Sequence, residues 1–241
     1  MPELPILTYH RVGDPTHGPP GITIPVSEFT WQADLLVKTG FTSYNLEAFI
    51  KTLHGTKESR GRTLLITFDD GYEEFYSVAW PILKERKLSA TVFITTGVIG
   101  GVNSWDTSGG SLKILAKEQI VELSSDGLDF GAHTHSHPQL PELSEEDALR
   151  EIRESKAVLE ELLGQSVRAF CYPYGRSTPM LKRIIASEGF ACAFASDTGP
   201  QDFKEDPFEI RRIGIFPGLT RAGFLRKISG YYHRYRMLTG R

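Results

Sequence analysis

Cysteine is nearly absent: Cys171 and Cys192 are the only two in 241 residues. That excludes a disulfide framework, and because both sit in apolar runs they read as buried thiols. No stretch approaches the roughly 18 consecutive apolar residues of a membrane span, so no transmembrane segment is expected. The start of the chain, Met1-Pro2-Glu3-Leu4-Pro5, is neither a basic segment nor the opening of an apolar one, and absence of a secretion signal predicts the cytoplasm. Charge of one sign is lacking as well. With 27 Lys and Arg against 30 Asp and Glu, a net of -3 offers nucleic acid no general attraction. A hydrophobic fraction of 40% with 24% charged residues excludes disorder, and 23 glycines are too few for collagen. No internal repeat, low-complexity tract or linker interrupts the chain, so residues 1–241 are read as a single domain.

What is present is an alternation of short β-branched runs with helical patterns. Strands are predicted at Pro5 to Tyr9, Thr63 to Phe68, Ala90 to Thr95, Leu128 to Ala132, Val167 to Tyr172, Ala191 to Ala195 and Ile210 to Phe216. Most are apolar on both faces, the pattern of a covered parallel sheet or a barrel. Helices are punctuated by Ser27 and Gly40, by Ser144 and Gly164, and by Thr178-Pro179 and Gly189. Pro81 predicts a kink or a helix start within Glu73 to Arg86. Two loops stand out, Gly13 to Gly21 and Gly97 to Gly110. The second carries Trp105 between glycines and reads as a substrate-facing flap, whereas Trp31 and Trp80 sit in helical patterns and read as core.

Basic charge is concentrated at one end. From Arg211 to Arg241 there are eight Lys or Arg and no acid. The tail from about residue 217 reads either as a solvated helix facing acidic surface of the same domain or as a contact for an anionic surface or partner.

Chemistry gathers at three strand ends. Thr63 to Phe68 runs into Asp69-Asp70-Gly71, and adjacent carboxylates need a cation to separate their roles. Leu128 to Ala132 runs into His133-Thr134-His135-Ser136-His137-Pro138. His133 and His137 can converge on one ion while His135 points elsewhere. Two neutral imidazoles with one carboxylate form a catalytic ligand set for a divalent transition metal. The third end is Phe170-Cys171-Tyr172-Pro173-Tyr174-Gly175, a rigid aromatic loop that suits a groove wall and a backbone oxyanion donor. Tyr172, Tyr174 and Trp105 are therefore candidate groove contacts.

Together Thr67-Phe68-Asp69-Asp70-Gly71, His133-Thr134-x-x-His137-Pro138 and Tyr172-Pro173-Tyr174-Gly175 resemble the polysaccharide deacetylase family, the NodB-type group also called carbohydrate esterase family 4. The resemblance implies a distorted (β/α) barrel that removes acetyl groups from N-acetylated sugars with one bound ion, Zn2+ or else Co2+ or another transition metal. It implies Asp70, His133 and His137 as ligands, Asp69 as general base, the Tyr174 backbone N-H as oxyanion donor, and Thr134 and Ser136 as braces. Two departures matter. The third motif of the family commonly carries an Arg that pairs with the base, and Cys171 stands there; Arg211 or, by preference, Arg212 is expected to replace it. The family usually ends on a Leu-x-x-His strand whose His is the general acid. After residue 137 this chain has only His233, but Ile6-Leu7-Thr8-Tyr9-His10 reads as that motif moved to the N-terminus. This resembles the circularly permuted branch, which acts on exported polymers at the cell surface, and predicts His10 as general acid. The rival readings are an amidase for small or cyclic amides, a silent carbohydrate-binding relative in view of Cys171, and, last, a metal-dependent phosphatase, which lacks a phosphate cradle.

Overall fold

Runs that are apolar on both faces become the strands of one curled parallel sheet. In this computed structural model, residues 4–19, 21–56, 61–106, 110–200 and 202–232 are described. The strands are β1 (Ile6–Tyr9), β2 (Arg11–Gly13), β3 (Thr23–Pro25), β4 (Thr42–Ser43), β5 (Thr63–Phe68), β6 (Thr91–Ile94), β7 (Asp129–Ala132), β8 (Ala169–Cys171), β9 (Cys192–Phe194) and β10 (Ile213–Gly214). The main sheet runs β10-β1-β5-β6-β7-β8-β9, with β4 on the start of β5. Residues before β10 lie along β9: Ile210 N donates to Ala193 O, Ala195 N to Ile210 O, and Arg212 N to Ser196 O. Two residues later the chain pairs with β1, Leu7 opposite Ile213 and Thr8 opposite Gly214. The sheet therefore closes as a distorted barrel, with the first and last strands side by side.

That change of neighbour explains one difference from the sequence reading. The expected strand Ile210 to Phe216 is split into a single bridge at Ile210 and a two-residue β10, because its first half serves β9 and its second half β1.

Side chains alternate across the strands. On β5, Leu64, Ile66 and Phe68 face the surrounding helices, while Leu65 joins Phe93, Ala169, Cys171, Cys192 and Phe194 inside the barrel. The helices are α1 (Val26–Lys38), α2 (Leu46–Leu53), α3 (Trp80–Glu85), α4 (Lys117–Ser125), α5 (Glu145–Leu163), α6 (Pro179–Ser187) and α7 (Arg221–Lys227). Ser144 and Thr178 cap α5 and α6 by accepting from the N-H groups of Asp147 and Leu181. Ser27 does not cap α1. The helix begins one residue earlier, at Val26, directly after β3 and without a side-chain cap. Ahead of α3, Phe75–Ala79 form a π-turn, which absorbs the N-H that Pro81 lacks. Among the described residues no helix is long and apolar enough to cross a membrane. Residues 233–241, including His233 and the end of the basic tail, lie outside the described residues.

The small β2-β3 pair was not anticipated from sequence. It is organised by Arg11, which is 5% exposed, donates to Asp14 O, His17 O and Thr23 Oγ1, and pairs with Glu74. The guanidinium thus ties Asp14, His17 and Thr23 to the segment that follows Asp70.

One strand glycine is required by close approach. A Cβ on Gly131 of β7 would lie 2.4 Å from the Phe93 ring and 2.9 Å from Ala169 O. Gly131→Ala is expected to lower stability by about 1–3 kcal/mol through overpacking, read as an earlier urea midpoint at unchanged slope. An unaltered midpoint would show that the β6-β7 interior is looser than this geometry.

Candidate active site

Asp69 continues the inward alternation of Leu65 and Thr67, so its carboxylate points into the barrel mouth. Asp70 follows at φ 73°, a left-handed conformation that a non-glycine residue seldom adopts. Gly71, at φ 77°, completes the turn. The reversal sends the two neighbouring carboxylates to different partners.

Asp69 meets Arg212. Nη1 and Nη2 donate to Oδ1 and Oδ2 at 2.7 Å each, a bidentate pair. The remaining donors go to Ala195 O, Thr67 Oγ1 and Cys171 Sγ, so every guanidinium N-H is used. Arg212 is 3% exposed and lies over the rings of Phe93 and Phe194. Burial alone would raise the Asp69 pKa, but the Arg212 charge and hydrogen bonds outweigh it and hold the carboxyl below its ordinary range. Cys171 lies against this pair. Burial pushes its thiol up, and the neutral sulfur accepts from Arg212. Arg211 turns away, donating to Gly199 O.

Asp70 meets the histidines. His133 leaves the end of β7 and donates from Nδ1 to Cys171 O at 2.8 Å. A carbonyl can only accept, so Nδ1 carries a proton, which leaves Nε2, 3.4 Å from Asp70 Oδ1, as the nitrogen that can face an ion. His137 places Nε2 3.3 Å from the same oxygen, and burial lowers its pKa, which keeps it a neutral donor of electrons. Two ligand atoms each 2.0–2.1 Å from a tetrahedral ion stand about 3.4 Å apart. The spacing, tautomer and mixed N,N,O donor set of Asp70, His133 and His137 therefore fit one divalent ion. Burial disfavours charge at Asp70, yet the two imidazoles beside it hold its carboxyl well below the usual carboxylate range. The group calls for a positive charge at its centre. Asp69, His133 and Cys171 also approach one another, but Asp69 and Cys171 are already engaged by Arg212.

The loop that carries the histidines is braced from α5. Glu151 Oε2 accepts from the backbone N-H groups of His135 and Ser136 at 2.9 and 2.8 Å, and Oε1 from Ser136 Oγ at 2.6 Å. Thr134 Oγ1 accepts from His137 N. His135 turns out of the ligand set toward Thr96. Glu151 was missed from sequence because nothing in its helical position distinguishes it from other solvated acids.

The mouth is a cavity of about 710 Å³ that also receives His10, Tyr72, Trp105 and Tyr174. His10, just beyond β1, has Nε2 4.0 Å from Asp69 Oδ2. Trp105 stacks on His137 at 4.4 Å and Tyr174 meets the same ring edge-on at 4.9 Å. Tyr72, missed although it directly follows Asp69-Asp70-Gly71, is 1% exposed with its hydroxyl unpartnered. Tyr172 is a correction. It is also 1% exposed, packs on Phe170 and donates to Phe208 O, so it belongs to the core, while the turn at Pro173–Gly175, with Tyr174 at φ 58°, sends Tyr174 out to the cavity.

A parallel barrel with a carboxylate-histidine metal cradle and a second, cation-paired carboxylate at its mouth defines a metal-assisted hydrolase. The sequence profile of the polysaccharide deacetylase family matches residues 56–193, more than half of the chain, and the chain belongs to that family. It is 25% identical to YxkH of Bacillus subtilis (strain 168) over 222 residues, covering 92% of this chain and 75% of that one. A poly-beta-1,6-N-acetyl-D-glucosamine N-deacetylase of Staphylococcus aureus (strain N315) is 31% identical over 163 residues, 64% of this chain and 54% of the relative. Among solved structures, the Streptococcus pyogenes deacetylase PplD in complex with acetate superposes with a TM-score of 0.81 at 25% identity, covering 94% of this chain and 98% of that one. IcaB from Ammonifex degensii does so at 0.78 and 27%, covering 96% and 98%.

Removing Arg212 leaves Asp69 buried and unpaired. Arg212→Met is expected to lower stability by roughly 3–5 kcal/mol. Adding Asp69→Asn should recover most of that loss, because no uncompensated charge then remains. Urea unfolding of the single and double variants checks this, and purely additive losses would contradict the pairing.

Proposed function

We propose that the protein is a metal-dependent N-deacetylase acting on N-acetylglucosamine units of a polysaccharide, with Zn2+ as the preferred ion. The observation that carries this reading is the separation of two adjacent carboxylates, Asp70 onto His133 and His137 and Asp69 onto Arg212, with His10 4.0 Å from Asp69. Family membership and the Staphylococcus aureus relative supply the substrate class.

Amide hydrolysis needs an activated carbonyl, a deprotonated water and a protonated amine. An ion held by Asp70, His133 and His137 supplies Lewis acidity, which polarises the acetamide and makes water more acidic. Asp69 takes the proton of the attacking water, and Arg212 fixes both of its oxygens so that the receiving lone pair has one direction. The water oxygen bonds to the acetyl carbon, and the Tyr174 backbone N-H steadies the charge that gathers on the carbonyl oxygen. The C-N bond then breaks while His10 gives a proton to the departing nitrogen, leaving acetate and a free amine. Trp105 covers His137 and walls the cavity beside the acetyl group.

Acetate release from β-1,6-linked and β-1,4-linked N-acetylglucosamine oligomers tests this directly. Activity is expected to vanish on chelation and return with Zn2+, and Asp70→Asn should lose both the bound metal and the activity. His10→Ala should lower kcat by about 10²–10⁴-fold, whereas His54→Ala, on the exposed end of α2, should not. Zinc-loaded protein that releases acetate from neither series would overturn the proposal.

A further inference from the structure

The cavity extends beyond the groups the reaction uses. On its β10 side it is lined by Gly214, Phe216, Lys227 and Tyr232, none of which the chemistry above requires. Phe216 is 52% exposed, a large apolar ring left half open in the cavity wall. Its placement is specific: a Cβ on Gly214 would lie 2.8 Å from the edge of the ring, so the ring can occupy this position only because residue 214 has no side chain. One part of the ring is backed by the strand and the rest is open.

The surroundings hold that platform in place. Lys227, at the end of α7, donates from Nζ to Gly214 O at 2.7 Å and lies 4.9 Å from the centre of the Tyr232 ring. Gly214 is paired with Thr8 of β1, and Ile215 N donates to Thr8 O. The platform is thus fixed to the strand that presents His10, on the opposite flank of the barrel mouth from β7 and β8 with their His133, His137 and Tyr174.

A half-exposed aromatic ring that shares a cavity wall with an ammonium suits a ligand that is apolar on one face and oxygen-rich at its edge. A hexopyranose ring is such a ligand: its axial C-H groups pack on an aromatic face and its hydroxyls accept from an ammonium. We infer that Phe216, backed by Gly214 and flanked by Lys227, is a binding subsite for a sugar ring of the same glycan chain next to the unit that loses its acetyl group. This deepens the deacetylase reading and rests on it for the identity of the glycan, though not for the presence of the subsite. It makes the cleft a reader of chain length, since only an oligomer that reaches from the metal cradle to Phe216 gains the contact.

The test compares Phe216→Ala, Phe216→Tyr and the unaltered full chain on N-acetylglucosamine disaccharide and pentasaccharide. Two readouts are taken: kcat/KM for acetate release, and pentasaccharide affinity of the chelated protein by calorimetry. Phe216→Ala is expected to lower the pentasaccharide-to-disaccharide ratio of kcat/KM about tenfold, through KM, and to weaken calorimetric binding by a similar factor, the size of a lost aromatic contact. Phe216→Tyr, which keeps the ring, should restore both. Because the ring is half exposed, an unchanged urea midpoint for Phe216→Ala separates binding from folding. If the unaltered chain releases acetate and Phe216→Ala leaves both the ratio and the affinity unchanged, the subsite is overturned and the deacetylase reading stands. If no acetate is released but pentasaccharide binding weakens in Phe216→Ala, the subsite stands and the deacetylase reading falls.

Discussion

Two consecutive carboxylates, each only 4% exposed, cannot lean on one positive charge. Unpaired, either would cost several kcal/mol to bury. The barrel mouth meets this constraint by giving Asp69 and Asp70 separate partners, a guanidinium for Asp69 and a pair of imidazoles that could share a cation for Asp70. Arg212 arrives from the segment before the last strand and the two imidazoles from the end of β7. Much else follows from that division. Cys171 is small enough to leave room for the guanidinium and offers both a sulfur to Arg212 and a carbonyl to His133, so one residue orients a member of each set.

Closure of the barrel is what allows distant parts of the chain to share the site. The family match begins at residue 56 and ends at 193, which includes Asp69, Asp70, His133, His137 and Tyr174 but neither His10 nor Arg212. Those two come from the opposite ends of the chain and flank the same carboxylate. They meet because β1 and β10 are neighbours and because residues 210–212 run along β9. A chain that begins on one side of that seam and ends on the other delivers a histidine early and an arginine late to a single oxygen pair.

Local patterns in the sequence were legible where one segment decides its own structure. The strand Thr63 to Phe68, the caps at Ser144 and Thr178, and the paired acids and histidines at strand ends all depend on residues within a few positions of one another. What depended on the tertiary path was harder to read. Arg211 and Arg212 are neighbours on an expected strand that is in fact split, so sequence alone supported only a narrow preference for Arg212. Tyr172 and Tyr174 looked equivalent in sequence, yet the strand end sends one into the core and the other over His137. Glu151 and Arg11 gave no local sign at all, since an acid on a helix and a base after a strand are ordinary until the loops they bind are in place.

Backbone strain shows where the molecule departs from local preference for the sake of the site. Five non-glycine residues among those described have positive φ: Asp70, Lys87, Thr134, His137 and Tyr174. All but Lys87 belong to the three motifs at the barrel mouth. Such conformations cost about 1–3 kcal/mol each, a sum comparable with the roughly 5–15 kcal/mol that separates a folded domain from its unfolded chain. They persist only where neighbours over-determine them. Asp70 is held between β5 and the imidazoles, and Thr134 and His137 by Glu151 and the Thr134 hydroxyl. Tyr174 is held between Pro173 and a Gly175 whose missing Cβ admits Ser196. Two of these braces come from outside the strained turns, Glu151 from α5 and Ser196 from the segment after β9. The rigidity of the ligand cradle is therefore a property of the whole barrel, and a metal ion entering it meets donors already separated by the distance it requires.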